Sequence, residues 1–183
     1  MKKNLLAIFL LFSLTIGMAQ QMAYSTKIEE AVNTTGFLFK QEVFSLKNIS
    51  LFRADALKIT NIETFKSTSG LRIIQSIQVG KKQATLHSYI DAQEIDGLIT
   101  ALQYISTILK NPTMPSNYTE IKYNTLSGFQ VKLYTMLNDQ GKLTWRLTIC
   151  TKISEPASLR EVPLNEISSL QDVFKQAKQK LQN

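Results

Sequence analysis

A single cysteine, Cys150, stands in the chain, so no disulfide can form within it. At 183 residues the chain is long enough to bury a core without such a staple. There is also one histidine, His87. Soft-metal sites draw on several converging His or Cys donors, and one of each cannot build such a site alone. The seven glycines never fall into a Gly-x-Gly-x-x-Gly or Gly-Lys-Ser/Thr run, which removes the phosphate-loop route to nucleotide binding. Basic residues are scattered. Beyond Lys2-Lys3 the longest basic run is Lys81-Lys82, beside a turn glycine, whereas a nucleic-acid groove concentrates positive charge on one face.

The N-terminus is what the rest of the chain is not: almost wholly apolar over Leu5–Met18, with only Ser13 and Thr15 interrupting it. "MKKNLLAIFLLFSLTIGMAQ" has Lys2 and Lys3, an apolar run of 14 residues from Leu5 to Met18, and then small Ala19. This three-part layout predicts a secretory signal peptide over residues 1–19, with an apolar stretch too short for a hydrocarbon core of about 30 Å. Cleavage there takes two basic residues and no acidic one, moving the formal charge from +7 to +5. The expected product is secreted or periplasmic and has no membrane span after cleavage. The short leader ending in Ala-Gln resembles those of secreted proteins from the Bacteroides and Flavobacterium group. In those bacteria the Asn-X-Ser/Thr triplets at Asn33, Asn48 and Asn117 are normally unmodified.

Behind the leader the chain repeats itself. "STSGLRIIQSIQV" (67–79) and "TLSGFQVKLYTML" (125–137) align without a gap on Gly70 and Gly128, matching Phe65 with Tyr123, Leu71 with Phe129 and Ile73 with Val131. Their apolar residues alternate with period two, the mark of strands with one covered face, and each glycine is expected to serve a tight hairpin turn. Downstream, 91–109 and 164–181 align Glu94 with Glu166, Ile95 with Ile167, Leu98 with Leu170, and Leu102 with Phe174. Spacings of three and four make both amphipathic helices. Asp91 with Glu94 reads as a capping pair, and Pro163 suits a helical first turn.

Further strands are predicted at 36–46, 56–67, 84–90, 118–126 and 142–153, with a proline-bearing link at 111–118 and a polar connection at 154–163. The expected fold class is α+β: a duplicated β-β-β-α unit with an extra N-terminal strand. Its curved antiparallel sheet, joined edge to edge, carries both helices on one side. Residues 20–35 show no periodicity and read as an extended leader. Residues 36–183 read as one globular domain of two repeats, about 56–110 and 118–183. The strand at 36–46 offers an open edge for a partner chain.

Chemistry is sparse. His87 shares a strand parity with Thr85, Tyr89 and Asp91, but nothing singles out a hydroxyl for it to activate. "DAQEID" (91–96) lacks the glycine and terminal glutamate of a calcium loop, and Cys150 reads as a partly covered thiol. No cofactor or metal is expected. In topology, over roughly 56–181, the repeated unit resembles the single-stranded-DNA-binding fold of the plant Whirly proteins and their relatives, though no residue motif carries over. That resemblance implies an open sheet face as the binding surface. The outward residues here are expected to be Lys58, Lys66, Arg72, His87, Lys132, Tyr134 and Arg146. The leading reading is a non-catalytic binding module for a protein, peptide or glycan of the cell envelope. The alternatives are a secreted hydrolase-type enzyme with a site near His87, or single-stranded nucleic-acid binding, against which the leader argues.

Overall fold

The computed structural model describes residues 25–182, so the signal-peptide reading of 1–19 lies outside the described residues. The duplication is real in three dimensions. The first unit contains β2 (Arg53–Asn61), β3 (Ser67–Val79), β4 (Lys82–Asp91) and the helix α2 (Ile95–Lys110). The second contains β5 (Glu120–Asn124), β6 (Gln130–Leu137), β7 (Leu143–Cys150) and α3 (Ile167–Gln182). Even the lead-in to the helix is shared: a single 3-10 turn, Ala92–Glu94 or Leu164–Glu166, precedes each.

Each unit adds a fourth strand, and the two additions sit on opposite edges. β1 (Phe39–Ser45) pairs with β2, as expected of an N-terminal edge strand, whereas β8 (Leu159–Glu161) pairs with β7. The sequence shows no sign of β8, because three residues are too few for alternation to register. The result is an α+β fold with two antiparallel sheets, β1-β2-β3-β4 and β5-β6-β7-β8, rather than one sheet joined edge to edge.

The units meet through side chains and not through a strand ladder. The Glu94 carboxylate accepts from Asp91 N–H (3.2 Å) at the end of β4 and from Leu126 N–H (2.8 Å) in the β5–β6 turn. Nearby, the hydroxyls of Ser88 and Ser127 lie 2.7 Å apart. With β4 entering its helix at this point, the junction is made by side chains where the expected edge pairing called for backbone.

The inward faces carry Ala54, Ala56, Leu71 and Ile73 from the first sheet, and Val131, Leu133, Leu147 and Ile149 from the second. All belong to one apolar cluster with the stripes of α2 and α3. At its centre three rings meet, one each from just before β2, just before β6 and from α3. Phe52 and Phe129 lie 6.1 Å apart edge to face, and Phe174 lies 6.0 Å from Phe129 and 6.4 Å from Phe52. The helices are exchanged: α3, from the second repeat, lies against β2 and β3, while α2 lies against β5 and the two helices pack on each other.

Three local expectations are corrected. Gly128 does sit in the β5–β6 turn with φ +84°, but Gly70 lies inside β3, paired with Leu57 and Asp91. The first hairpin turns earlier, and Phe65, matched by sequence to the strand residue Tyr123, is an exposed turn residue with φ 56°. Finally, the segment read as an extended leader holds a helix, α1 (Lys27–Asn33), whose Ile28 is buried.

Candidate functional site

The outward residues of each sheet follow from the inward ones. Val131 and Leu133 point into the core, so their β6 neighbours Lys132 and Tyr134 point away from it. Strand register then sets two rows across the second sheet. Glu120, Tyr134 and Arg146 form one; Lys122, Lys132, Thr148 and Glu161 form the other. Lys132 Nζ lies 5.0 Å from the Tyr134 ring centroid, within cation–π range.

The ends of the rows are tied by charge. Arg146 Nη1 lies 2.6 Å from Glu161 Oε1, and Lys122 Nζ lies 2.8 Å from Glu120 Oε1, whose other oxygen accepts from the Tyr118 hydroxyl at 2.8 Å. Those bonds, from Lys122 first and then Tyr118, hold the Glu120 carboxyl below its ordinary range. The same carboxylate pushes the Tyr118 phenol up, and Glu161 raises the Arg146 guanidinium. Three cations therefore face two carboxylates on this surface, and most of the positive charge is offset locally. No helix covers the face among the described residues; its charged side chains and Tyr134 are half-buried or exposed, whereas Thr148 and Cys150 at one end are buried, Cys150 beneath the segment before β8.

The outward face of the first sheet is different because α1 occupies part of it. The Asp91 carboxylate accepts from Lys27 N–H (3.1 Å) and Ile28 N–H (3.0 Å), two donors that the first turn of a helix cannot satisfy internally. Ile28 then packs on Leu57 and Ile59, flanked by Ala31, Val32 and Tyr89. Beside this patch the buried Asp55 carboxylate takes Arg72 at 2.7 Å and Arg53 at 3.5 Å.

His87 is exposed and stacked on Tyr89 at 6.4 Å. Partial desolvation, and then the charges of Arg72 and Arg53, hold the imidazole below its ordinary range. Among the described residues, no carboxylate or hydroxyl hydrogen-bonds it.

The seven residues singled out by alternation are thus divided. Lys132, Tyr134 and Arg146 come together on the second sheet. Arg72 and His87 lie on the other sheet, and Lys66 is in the β2–β3 turn. Lys58 points the opposite way from Arg72: it stands across from Ser69, while Arg72 stands across from Asp55. Partner numbers on β2 and β3 add to an odd number, so even residues on one strand share a face with odd residues on the other. The sequence alone does not reveal that shift, because it depends on the length and shape of the turn. Lys122 was readable from the alternation of 118–126, whereas Glu161 was hidden with β8.

The remaining acidic string disperses. Asp91 holds α1, Glu94 holds the unit junction, and Asp96 pairs with Lys178 at 2.7 Å. Cys150 is buried beneath the segment before β8, its Sγ 3.1 Å from Ser158 Oγ. No helix among the described residues is long and apolar enough to cross a membrane.

Fold and surface together define an α+β protein of two sheet-and-helix units, one sheet presenting a charge-paired face that no helix covers among the described residues. Neither a protein-family model nor a curated protein matches this chain.

Proposed function

We propose that the chain is a secreted or periplasmic, non-catalytic binding module whose binding surface is the outward face of β5, β6, β7 and β8. The observation that carries this reading is that face itself, where Tyr134 stands opposite Arg146, Lys132 lies by the Tyr134 ring, and no helix among the described residues lies over them. Cross-strand pairs hold these side chains in place before any ligand arrives, which lowers the ordering cost of binding.

The chemistry favours a polar partner of low net charge, such as a protein, peptide or glycan of the cell envelope. A nucleic-acid strand gains affinity by neutralising phosphates with accumulated positive charge, and here Glu120 and Glu161 already occupy two of the three cations. The leader supports an extracytoplasmic site of action. A hydrolase-type centre at His87 draws no support from its exposed position or its stacking on Tyr89.

The test compares wild-type protein with a Tyr134→Ala/Arg146→Ala variant as tagged bait in native envelope and culture fractions, with an oligothymidine titration in parallel. The expected result is a partner held by the wild type and lost by the variant, with equal melting temperatures and no oligothymidine binding. Equal capture by both proteins, tight oligothymidine binding, or substrate turnover by the purified chain would each overturn the reading.

A further inference from the structure

We propose that this chain forms a two-fold dimer through the open edge of β1, joining the two copies of the first sheet into one continuous antiparallel sheet. The proposal stands apart from the binding face above, which lies on the other sheet. β1 pairs with β2 on one side only, leaving its second edge without a strand among the described residues. Two hydrogen bonds show which peptide groups face outward. Leu46 N–H donates to Ala54 O (3.1 Å), and Leu38 O accepts from Ile62 N–H (3.0 Å). Both residues are even-numbered, so even positions direct their peptide groups at β2. Phe39, Gln41 and Val43 therefore direct theirs at the open edge.

A second copy of the strand fits this edge in a way that its side chains specify. An antiparallel pairing about an axis at Gln41 matches the outward peptide groups of Gln41 with those of Gln41 of the partner subunit, and those of Phe39 with Val43, reciprocally. The same register sets Lys40 opposite Glu42 on both sides of the axis and brings Leu38 against Phe44. Opposite charges and apolar pairs directly across a ladder are the contacts that stabilise antiparallel strands. The neighbouring ladder registers are penalised, since one sets Lys40 on Lys40 and the other Glu42 on Glu42. Exposure agrees with an interface: Leu38 is 65% exposed, Val43 46% and Phe39 37%. Within one chain Lys40 and Glu42 already lie 3.0 Å apart. The dimer would share these charges crosswise at little desolvation cost.

Sedimentation equilibrium on the protein expressed from residue 1, over a concentration series, reads the association directly. The wild type is expected to dimerise. Lys40→Glu alone, or Glu42→Lys alone, sets like charges opposite and weakens the dimer by about tenfold. The K40E/E42K double variant restores it, and an equimolar mixture of the two single variants associates more tightly than either alone. Gln41→Pro removes an outward donor at the axis and abolishes the dimer while leaving the β1–β2 ladder intact, which an unchanged circular-dichroism spectrum verifies. A wild type that stays monomeric across the series overturns the proposal. So does association that ignores the charge changes, with the mixture no tighter than its components.

Discussion

Gly70 and Asp91 stand opposite each other on β3 and β4 and together form the seat of α1. A Cβ on Gly70 would collide with the carbonyl oxygen of Ile90 and come within 2.9 Å of Ile28 Cγ2. Neither neighbour yields easily, one being strand backbone and the other a buried side chain. Gly70→Ala is expected to cost about 1–3 kcal/mol, read from urea denaturation. Gly128 is required for another reason, its left-handed backbone, so the two glycines of the matched Ser-Gly pairs answer different demands. Their likeness was plain in the sequence. Their roles were not, because the sequence does not show that a helix approaches β3.

At the scale of the element, α1 is the clearest case of structure made by tertiary contact. Seven residues are too few for a stable isolated helix. This one persists because Thr26 caps Glu29 N–H at 3.2 Å, Asp91 takes two more amides, and Ile28 is fully covered. Ile28→Ala is expected to release it. Hydrogen exchange should quicken across Lys27–Asn33 well before α2 or α3 is affected, at a stability cost of about 2–5 kcal/mol. Equal protection in variant and wild type would show that the seat is not held by this side chain. The long helices were legible over most of their length, since sixteen residues each give several turns of stripe. α1 and β8 are shorter than any window in which a period can be recognised.

Over the whole molecule, the exchange of helices makes the repeats interdependent. α3 belongs by sequence to the second unit and lies on the strands of the first, and the Phe52, Phe129 and Phe174 rings close the junction between them. Unfolding is therefore expected to be one cooperative transition. Trp145 fluorescence, which reports on the second sheet, should coincide with far-ultraviolet circular dichroism during denaturation. Phe174→Ala should shift both curves together by about 3–5 kcal/mol. Two separated transitions would mean that the shared core does not couple the units.

What the sequence by itself determined was local and periodic. Strands declared themselves by alternation, helices by stripes, and the duplication by matching patterns, because side-chain direction along one element follows from its own backbone geometry. Tertiary structure alone decided which sheet each helix would cover, that α1 would cover part of one outward face while no described helix covers the other, and which charges would stand side by side. Those outcomes depend on turn lengths and strand register. A shift of one residue between neighbouring strands sends Lys58 and Arg72 to opposite faces without altering the pattern of either strand.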